Sequence, residues 1–228
     1  GRVSGEGAVS VRGLLYRPAR ENPWTEEVAR EPSAAPFHDW NARITEECYG
    51  PNGAARVLDE RGQVVSIVDN YDLLSYNVGP TLLSWLQLHA GDVYEVMVRD
   101  RPGAMAQGYG HLILPLCNER DLRTQIRWGL ADFAHRYGRP ARGMWLPECA
   151  VNDTVLAALV EEGVGFTVLA PGQAAHEVDS RFAHRWHHPD GRGIDIVFYD
   201  GGLSHAVAFE LPTLSSQRFV DRIADASA

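Results

Sequence analysis

The chain is poor in cysteine: Cys48, Cys117 and Cys149 are its only three in 228 residues, widely spaced and without a CxxC pair. That excludes a disulfide framework and a cysteine-based zinc site, and it suits a reducing cytoplasm. Long apolar runs are missing too. The longest, such as Leu112 to Cys117, are far too short to cross a bilayer, and the N-terminus has no basic stretch followed by an apolar one, so neither a membrane role nor a secretion signal is expected. Positive charge is in deficit, with 21 basic against 30 acidic residues and a formal net charge of -9. Such a surface repels a polyanion on average, which argues against nucleic acid as a partner. Internal repeats and low-complexity tracts are absent, as are a G-x-S-x-G elbow and a G-x-x-x-x-G-K-[ST] phosphate loop. The G-x-G segments lie in turns outside any dinucleotide-fold context.

What remains is a soluble globular composition, 45% hydrophobic and 22% charged, read as a single domain over residues 1–228. Its 22 glycines and 13 prolines imply many turns rather than a helical bundle. The start at Gly1 rather than Met, and the end just after a helical-looking segment, raise the expectation of a fragment. Ala8 to Leu15 reads as a strand that empties into a long loop, residues 16–41, crowded with aromatics and prolines. Trp40 to Asp59 has helical spacing broken or restarted at Pro51, and Gln63 to Asp69 is β-rich. A strand end near Ser75 leads into a helix from Pro80 through Leu88, Asp92 to Arg99 fits helix or strand, and Gly103 to Gly110 reads as a glycine-rich turn. Asp121 to Tyr137 is the clearest helix, stopped at Gly138. It is followed by a strand at Gly143 to Leu146, a helix from Thr154 to Glu162 ended at Gly163, and strands at Val164 to Ala170 and Ile194 to Tyr199. This alternation predicts an α/β fold with a mostly parallel sheet or barrel.

In such folds the polar residues just after each strand line the site. That rule selects Tyr16, Arg17, Asn77, His111 and Glu148. Glu148, after Trp145-Leu-Pro, has the partly desolvated setting of a nucleophile or general acid, although a carboxylate there also suits the next helix's N-terminus. His111 is either a holder of a substrate hydroxyl or a satisfied core histidine. Trp24, Trp40 and Trp145 are either sugar-stacking platforms or packing residues. The trio His184, His187 and His188 is expected in an exposed loop rather than around a metal, because His187 and His188 are adjacent and Pro189-Asp-Gly reads as a turn.

Several longer motifs then occur in order: Arg20-Glu-Asn-Pro-Trp, Ala34-Ala-Pro-Phe-His-Asp-Trp-Asn, Asn77-Val-Gly-Pro-Thr-Leu-Leu-Ser-Trp, Gly110-His-Leu-Ile-Leu-Pro-Leu, Arg123-Thr-Gln-Ile-Arg-Trp-Gly, Gly143-Met-Trp-Leu-Pro-Glu and Tyr199-Asp-Gly-Gly-Leu-Ser-His. Together they make the chain similar to the N-terminal part of a glycoside hydrolase family 57 catalytic domain, of the bacterial α-amylase-like subgroup. The resemblance implies an incomplete, seven-stranded (β/α) barrel, expected here to be truncated, and α-glucan chemistry with retention of configuration. It makes Glu148 the nucleophile, with Tyr16, Arg17, Trp24, His38, Trp40, Asn77, His111 and Trp145 contacting an α-glucan or malto-oligosaccharide. Neither a metal nor an organic cofactor is needed. A retaining enzyme forms a glycosyl ester on one carboxylate while a second, roughly 5 Å away, donates and later removes a proton.

Two departures from the family pattern bear on that expectation. Where its first motif reads like His-Gly-His-Phe-Tyr-Gln-Pro-Pro, this chain has Arg12-Gly-Leu-Leu-Tyr-Arg-Pro-Ala. Leu14 thereby loses a polar contact, and Arg17 brings a cation expected to pair with Glu148, lower its pKa or block a subsite. The family's acid/base aspartate, from a later motif, has no counterpart before Ala228, and Asp200 matches a different segment. Impaired catalysis is therefore expected, and the alternative is an inactive carbohydrate-binding or regulatory relative. A metal-using deacetylase-like barrel is disfavoured, because there is no Asp-Asp pair and His184 with His188 is the one His-x-x-x-His spacing.

Overall fold

The computed structural model describes residues 9–210 and 215–227. Its strands are β1 (Arg12–Leu15), β2 (Ala55–Leu58), β3 (Val64–Val68), β4 (Ser75–Val78), β5 (Ala104–Gln107), β6 (Met144–Trp145), β7 (Phe166–Leu169), β8 (Ala183–His187) and β9 (Gly193–Phe198). Its α-helices are α1 (Trp40–Ile44), α2 (Gly50–Asn52), α3 (Asn70–Leu73), α4 (Pro80–His89), α5 (Gly91–Val98), α6 (Glu119–Tyr137), α7 (Asp153–Glu161), α8 (Gly201–His205) and α9 (Ser216–Ser227). None is long and apolar enough to cross a membrane.

Strands β1, β4, β5 and β6 form a parallel sheet in that order, and β7, β9 and β8 form a second in which only β8 is antiparallel. A parallel bridge between Gly143 and Phe166 joins β6 to β7. The seven strands therefore lie in one run, β1-β4-β5-β6-β7-β9-β8. This is the parallel α/β sheet expected, but it is not a closed barrel: among the described residues no pairing joins β1 to β8. The parallel order carries the C-terminal ends of β1, β4, β5, β6, β7 and β9 to one edge, which makes that edge the place where loops converge.

Local signals explain the helices. Asn118 caps α6 by accepting from the Asp121 N–H at 2.9 Å, and Gly138 ends it in the left-handed region at φ 65. Asn152 does the same for α7 through the Val155 N–H. Leu122, Ile126 and Phe133 turn one face of α6 into the core, against Met105, Leu114 and Leu159 among others. The contact with β5 is close enough that a Cβ on Gly129 would lie 2.0 Å from the Gln107 carbonyl oxygen. Gly129→Ala is thus expected to destabilise the protein by about 1–3 kcal/mol, because only a backbone shift can admit the methyl group. A denaturation midpoint unchanged from the wild type would refute that close packing.

Several elements differ from the sequence reading. The helical stretch from Trp40, continued by a π turn at Thr45–Tyr49, ends at Asn52, and Ala55–Leu58 instead pairs with β3 as an antiparallel hairpin. Its turn is built by the Asp59 carboxylate, which accepts from the Arg61 and Gln63 N–H groups, and by Gly62 at φ 76. The segment read as a glycine-rich turn contains β5, every residue of which is buried between β4 and β6. Asp92 to Arg99 resolves as helix α5. His184 and His187 lie in β8 rather than in a loop, and His188 follows it, bonded through its N–H to the Arg192 carbonyl at 2.9 Å.

The long loop 16–41 is tied at several points. Glu31 pairs with Arg20 and accepts from the Trp40 N–H at 2.9 Å, Glu21 bridges Val28, and the Thr81 hydroxyl donates to the Arg17 carbonyl at 2.6 Å. Asp39 then caps α1 through the Ala42 N–H.

Candidate active site at the strand ends

From Arg12 at the start of β1 toward the edge where the parallel strands end, a line of polar side chains runs across three strands. The Arg12 guanidinium of β1 lies over the Trp145 ring of β6, 3.6 Å from its centroid, and donates to the Asn77 Oδ1 of β4. The Asn77 Nδ2 donates to the Gln107 Oε1 of β5, and the Gln107 Nε2 lies 3.2 Å from the His111 Nδ1. The His111 ring stacks on Tyr16, with centroids 3.6 Å apart and planes within 9°. Gly79 makes room for this stack, since a Cβ there would meet the Tyr16 ring at 2.8 Å.

Burial sets the charge states. It pulls the Arg12 guanidinium down to about 10, against the opposing influence of Cys149, so Arg12 stays cationic at neutral pH. The same cause lowers His111 below its ordinary value, partly offset by the negative charge of Glu148, so the imidazole is neutral at pH 7. Burial also raises the Tyr16 hydroxyl and the Cys149 thiol, so both stay protonated.

Glu148 follows β6 in a short turn over Pro147–Cys149. It is exposed, at φ 56 and ψ 19, and Cys149 after it is also left-handed at φ 52. Two successive non-glycine residues in this region are a strained arrangement of the kind that collects at functional sites. The carboxylate makes no hydrogen bond or ion pair among the described residues. The turn under it is held by the Gln173 Nε2, which donates to the Cys149 carbonyl.

The structure thus brings Glu148, His111, Tyr16, Asn77 and Trp145 to one edge. Arg17 turns elsewhere: it lies 6.0 Å from the Trp40 ring centroid, its charge acts on the Tyr49 hydroxyl, and no ion pair joins it to Glu148 among the described residues. Trp40 is held by Ser33, which accepts from its Nε1 at 3.0 Å, and lies under Arg43 as well. His38 pairs with the buried Asp39 at 2.9 Å. Trp24 is not brought into this set, its side chain being 90% exposed. Asp200 follows β9 on the same edge and caps α8, accepting from the Leu203 N–H at 2.7 Å. Among the described residues no group of three His, Cys, Asp or Glu side chains is placed to hold a metal ion.

Two residues of this line, Arg12 and Gln107, were not among those the sequence selects. Gln107 would have followed from the strand-end rule had β5 been read as a strand. Arg12 opens the divergent first motif, and that departure was its only signal. Two open hollows, of about 680 and 400 Å³, lie beside α2 and α5 and contain none of the candidate residues.

A family model described as glycosyl hydrolase family 57 matches residues 55–227. Comparison with curated proteins finds no match. Among solved structures, an exo-type maltose-forming amylase from Pyrococcus sp. ST04 aligns over 84% of this chain and 31% of its own, with 15% identity and a TM-score of 0.68. A 4-α-glucanotransferase from Thermococcus litoralis aligns over 87% of this chain and 29% of its own, with 19% identity and a TM-score of 0.56. A putative polysaccharide deacetylase from Mycobacterium smegmatis aligns over 89% and 63%, with 14% identity and a TM-score of 0.50. At these identities the likeness is one of fold, and the chain spans less than two thirds of each of these proteins.

Proposed function

Because the chain belongs to glycosyl hydrolase family 57, we propose that it is an α-glucan-active glycoside hydrolase or 4-α-glucanotransferase-type domain, retaining configuration through Glu148. The observation that carries this reading is the placement of Glu148: an exposed carboxylate, unpaired among the described residues, in a strained turn at a strand end and close enough to a neutral histidine for its charge to act on the ring. A carboxylate oxygen there is free to attack an anomeric carbon. The new bond is a glycosyl ester, and the glycosidic oxygen leaves with a proton supplied by a second carboxylate. His111 supplies a hydrogen bond for a sugar hydroxyl and Tyr16 an apolar ring edge, whereas Asn77, Gln107 and Trp145 are buried and hold these groups from beneath rather than meeting the sugar themselves. The open seven-strand run is, on this reading, the wall of an incomplete barrel in one domain, residues 1–228. Three free cysteines suit a cytoplasmic location.

No second carboxylate is assigned to the acid role. Asp200 is engaged as a helix cap, so the domain is proposed to be impaired in hydrolysis. The exposed Leu14 and the cationic Arg12, in the segment where the family has histidines, favour a second reading: an inactive carbohydrate-binding or regulatory relative.

Both readings require sugar binding. Maltoheptaose is expected to change the tryptophan fluorescence with a dissociation constant in the millimolar range or somewhat tighter, since water competes for every hydroxyl contact. A flat titration to tens of millimolar would remove the α-glucan claim and leave the fold untouched.

A further inference from the structure

We propose that Arg12 is a positioning residue that decides which ring nitrogen of His111 carries the proton, acting through Asn77 and Gln107. The argument follows the donors. A guanidinium has N–H groups and no acceptor, so the Asn77 atom facing it must be the carbonyl oxygen. The Asn77 NH₂ then necessarily faces Gln107, whose oxygen accepts. That leaves the Gln107 NH₂ toward His111 at 3.2 Å, and because an NH₂ cannot accept, the His111 Nδ1 must offer a lone pair. The proton of the neutral ring is therefore on Nε2.

Burial makes this ordering firm. Asn77 is 0% and Gln107 2% exposed, so neither amide can turn over and find water, and reversing either one sets two donors or two acceptors face to face. Tyr16, stacked on the imidazole, keeps the ring plane from turning away. Arg12 lies on β1 and His111 beyond β5, with the whole of β4 between them. A cation on an edge strand thus fixes a proton two strands away, and the site is left with a neutral N–H donor. Its natural counterpart is an acceptor oxygen, such as a sugar hydroxyl. The inference rests on the glucan reading only for that counterpart, because the tautomer is defined without sugar.

Nitrogen-15 NMR of the His111 ring in the full chain tests this, with signals assigned by their loss in His111→Gln. The wild type is expected to show an unprotonated Nδ1 and a protonated Nε2. Arg12→Glu replaces an obligate donor by an acceptor, so both amides should turn and His111 should become predominantly Nδ1–H. Arg12→Lys keeps the donor and should match the wild type. If Arg12→Glu does not fold, Arg12→Met should raise the Nδ1–H share above that of the wild type. Gln107→Glu separates the links, since an acceptor there reverses the tautomer whatever Arg12 does. An Nδ1–H wild type, or a folded Arg12→Glu with the wild-type pattern, overturns the proposal. Predicted tautomers with no response of the His111 signals to maltoheptaose would instead count against the glucan reading alone.

Discussion

Incubation with α-glucosyl fluoride is expected to leave one glucosyl ester on Glu148, visible by mass spectrometry of the intact protein and its peptides, and Glu148→Gln is expected to show none. Fluoride departs with little need of a proton, so this donor tests the nucleophile separately from any acid. The Glu148 carboxylate is exposed and free of ion pairs among the described residues, whereas the amide of a glutamine is too poor a nucleophile to replace it. Against starch the same chain is expected to be slow. General acid assistance is typically worth about 10²- to 10⁴-fold, and no group has been assigned to supply it. Sugar binding without any adduct would favour the inactive relative. Rapid turnover of starch would show that an acid is present and unassigned, and would overturn the proposed impairment.

Arg101→Met is expected to give the largest loss of stability, about 3 to 5 kcal/mol, by breaking a buried ion pair on one side only. Arg101 is 1% exposed and donates to Asp69 at 2.6 Å, to Asp72, and to the Val96 carbonyl at 2.9 Å. In a domain of this size that is a fall in Tm of about 6 to 20 °C. The effect should depend on pH. Burial raises the Asp69 carboxyl, but hydrogen bonds from Arg101, Arg99 and the Tyr71 N–H outweigh it and hold Asp69 below its ordinary value. A carboxyl depressed in the folded state contributes stability that is present above its unfolded pKa, about 3.9, and lost as pH falls through the folded one. The gap between wild type and Arg101→Met should therefore narrow in acid. Urea denaturation at about pH 7 and about pH 3 checks this, and an equal gap at both would show that Asp69 does not carry the effect.

What the sequence disclosed depended on how far each element's cause lies along the chain. The ends of α6 and α7 are announced by neighbours, Asn118 with Gly138 and Asn152 with Gly163, so those helices were legible. The strand β5 has the composition Ala-Met-Ala-Gln, without a β-branched residue, and is extended because β4 and β6 lie on either side of it. Residues 55–58 suit a helix by composition and become a strand through the turn at Asp59. For β8, histidine, arginine and tryptophan alternate between half-buried and exposed positions, a pattern easily taken for a loop. Within the site, Glu148 could be found from the end of its own strand. Arg12 could not, because its meaning comes from Asn77, 65 residues away, and that of Gln107 from the same asparagine at a separation of 30.

The position of β1 at the rim of the sheet also bears on how the site breathes. Strands β4 and β5 are laddered on both sides, whereas β1 is bonded only to β4 among the described residues. Amide groups on such a strand exchange with solvent through local openings that cost less than global unfolding. Arg12 rides on this strand, so each excursion that lifts β1 also withdraws the guanidinium from the Asn77 carbonyl and frees the two amides behind it to reorient. The lifetime of one ordered polar line is in this way bounded by the opening rate of a four-residue strand, and its amide exchange and the order of the His111 ring should follow the same clock.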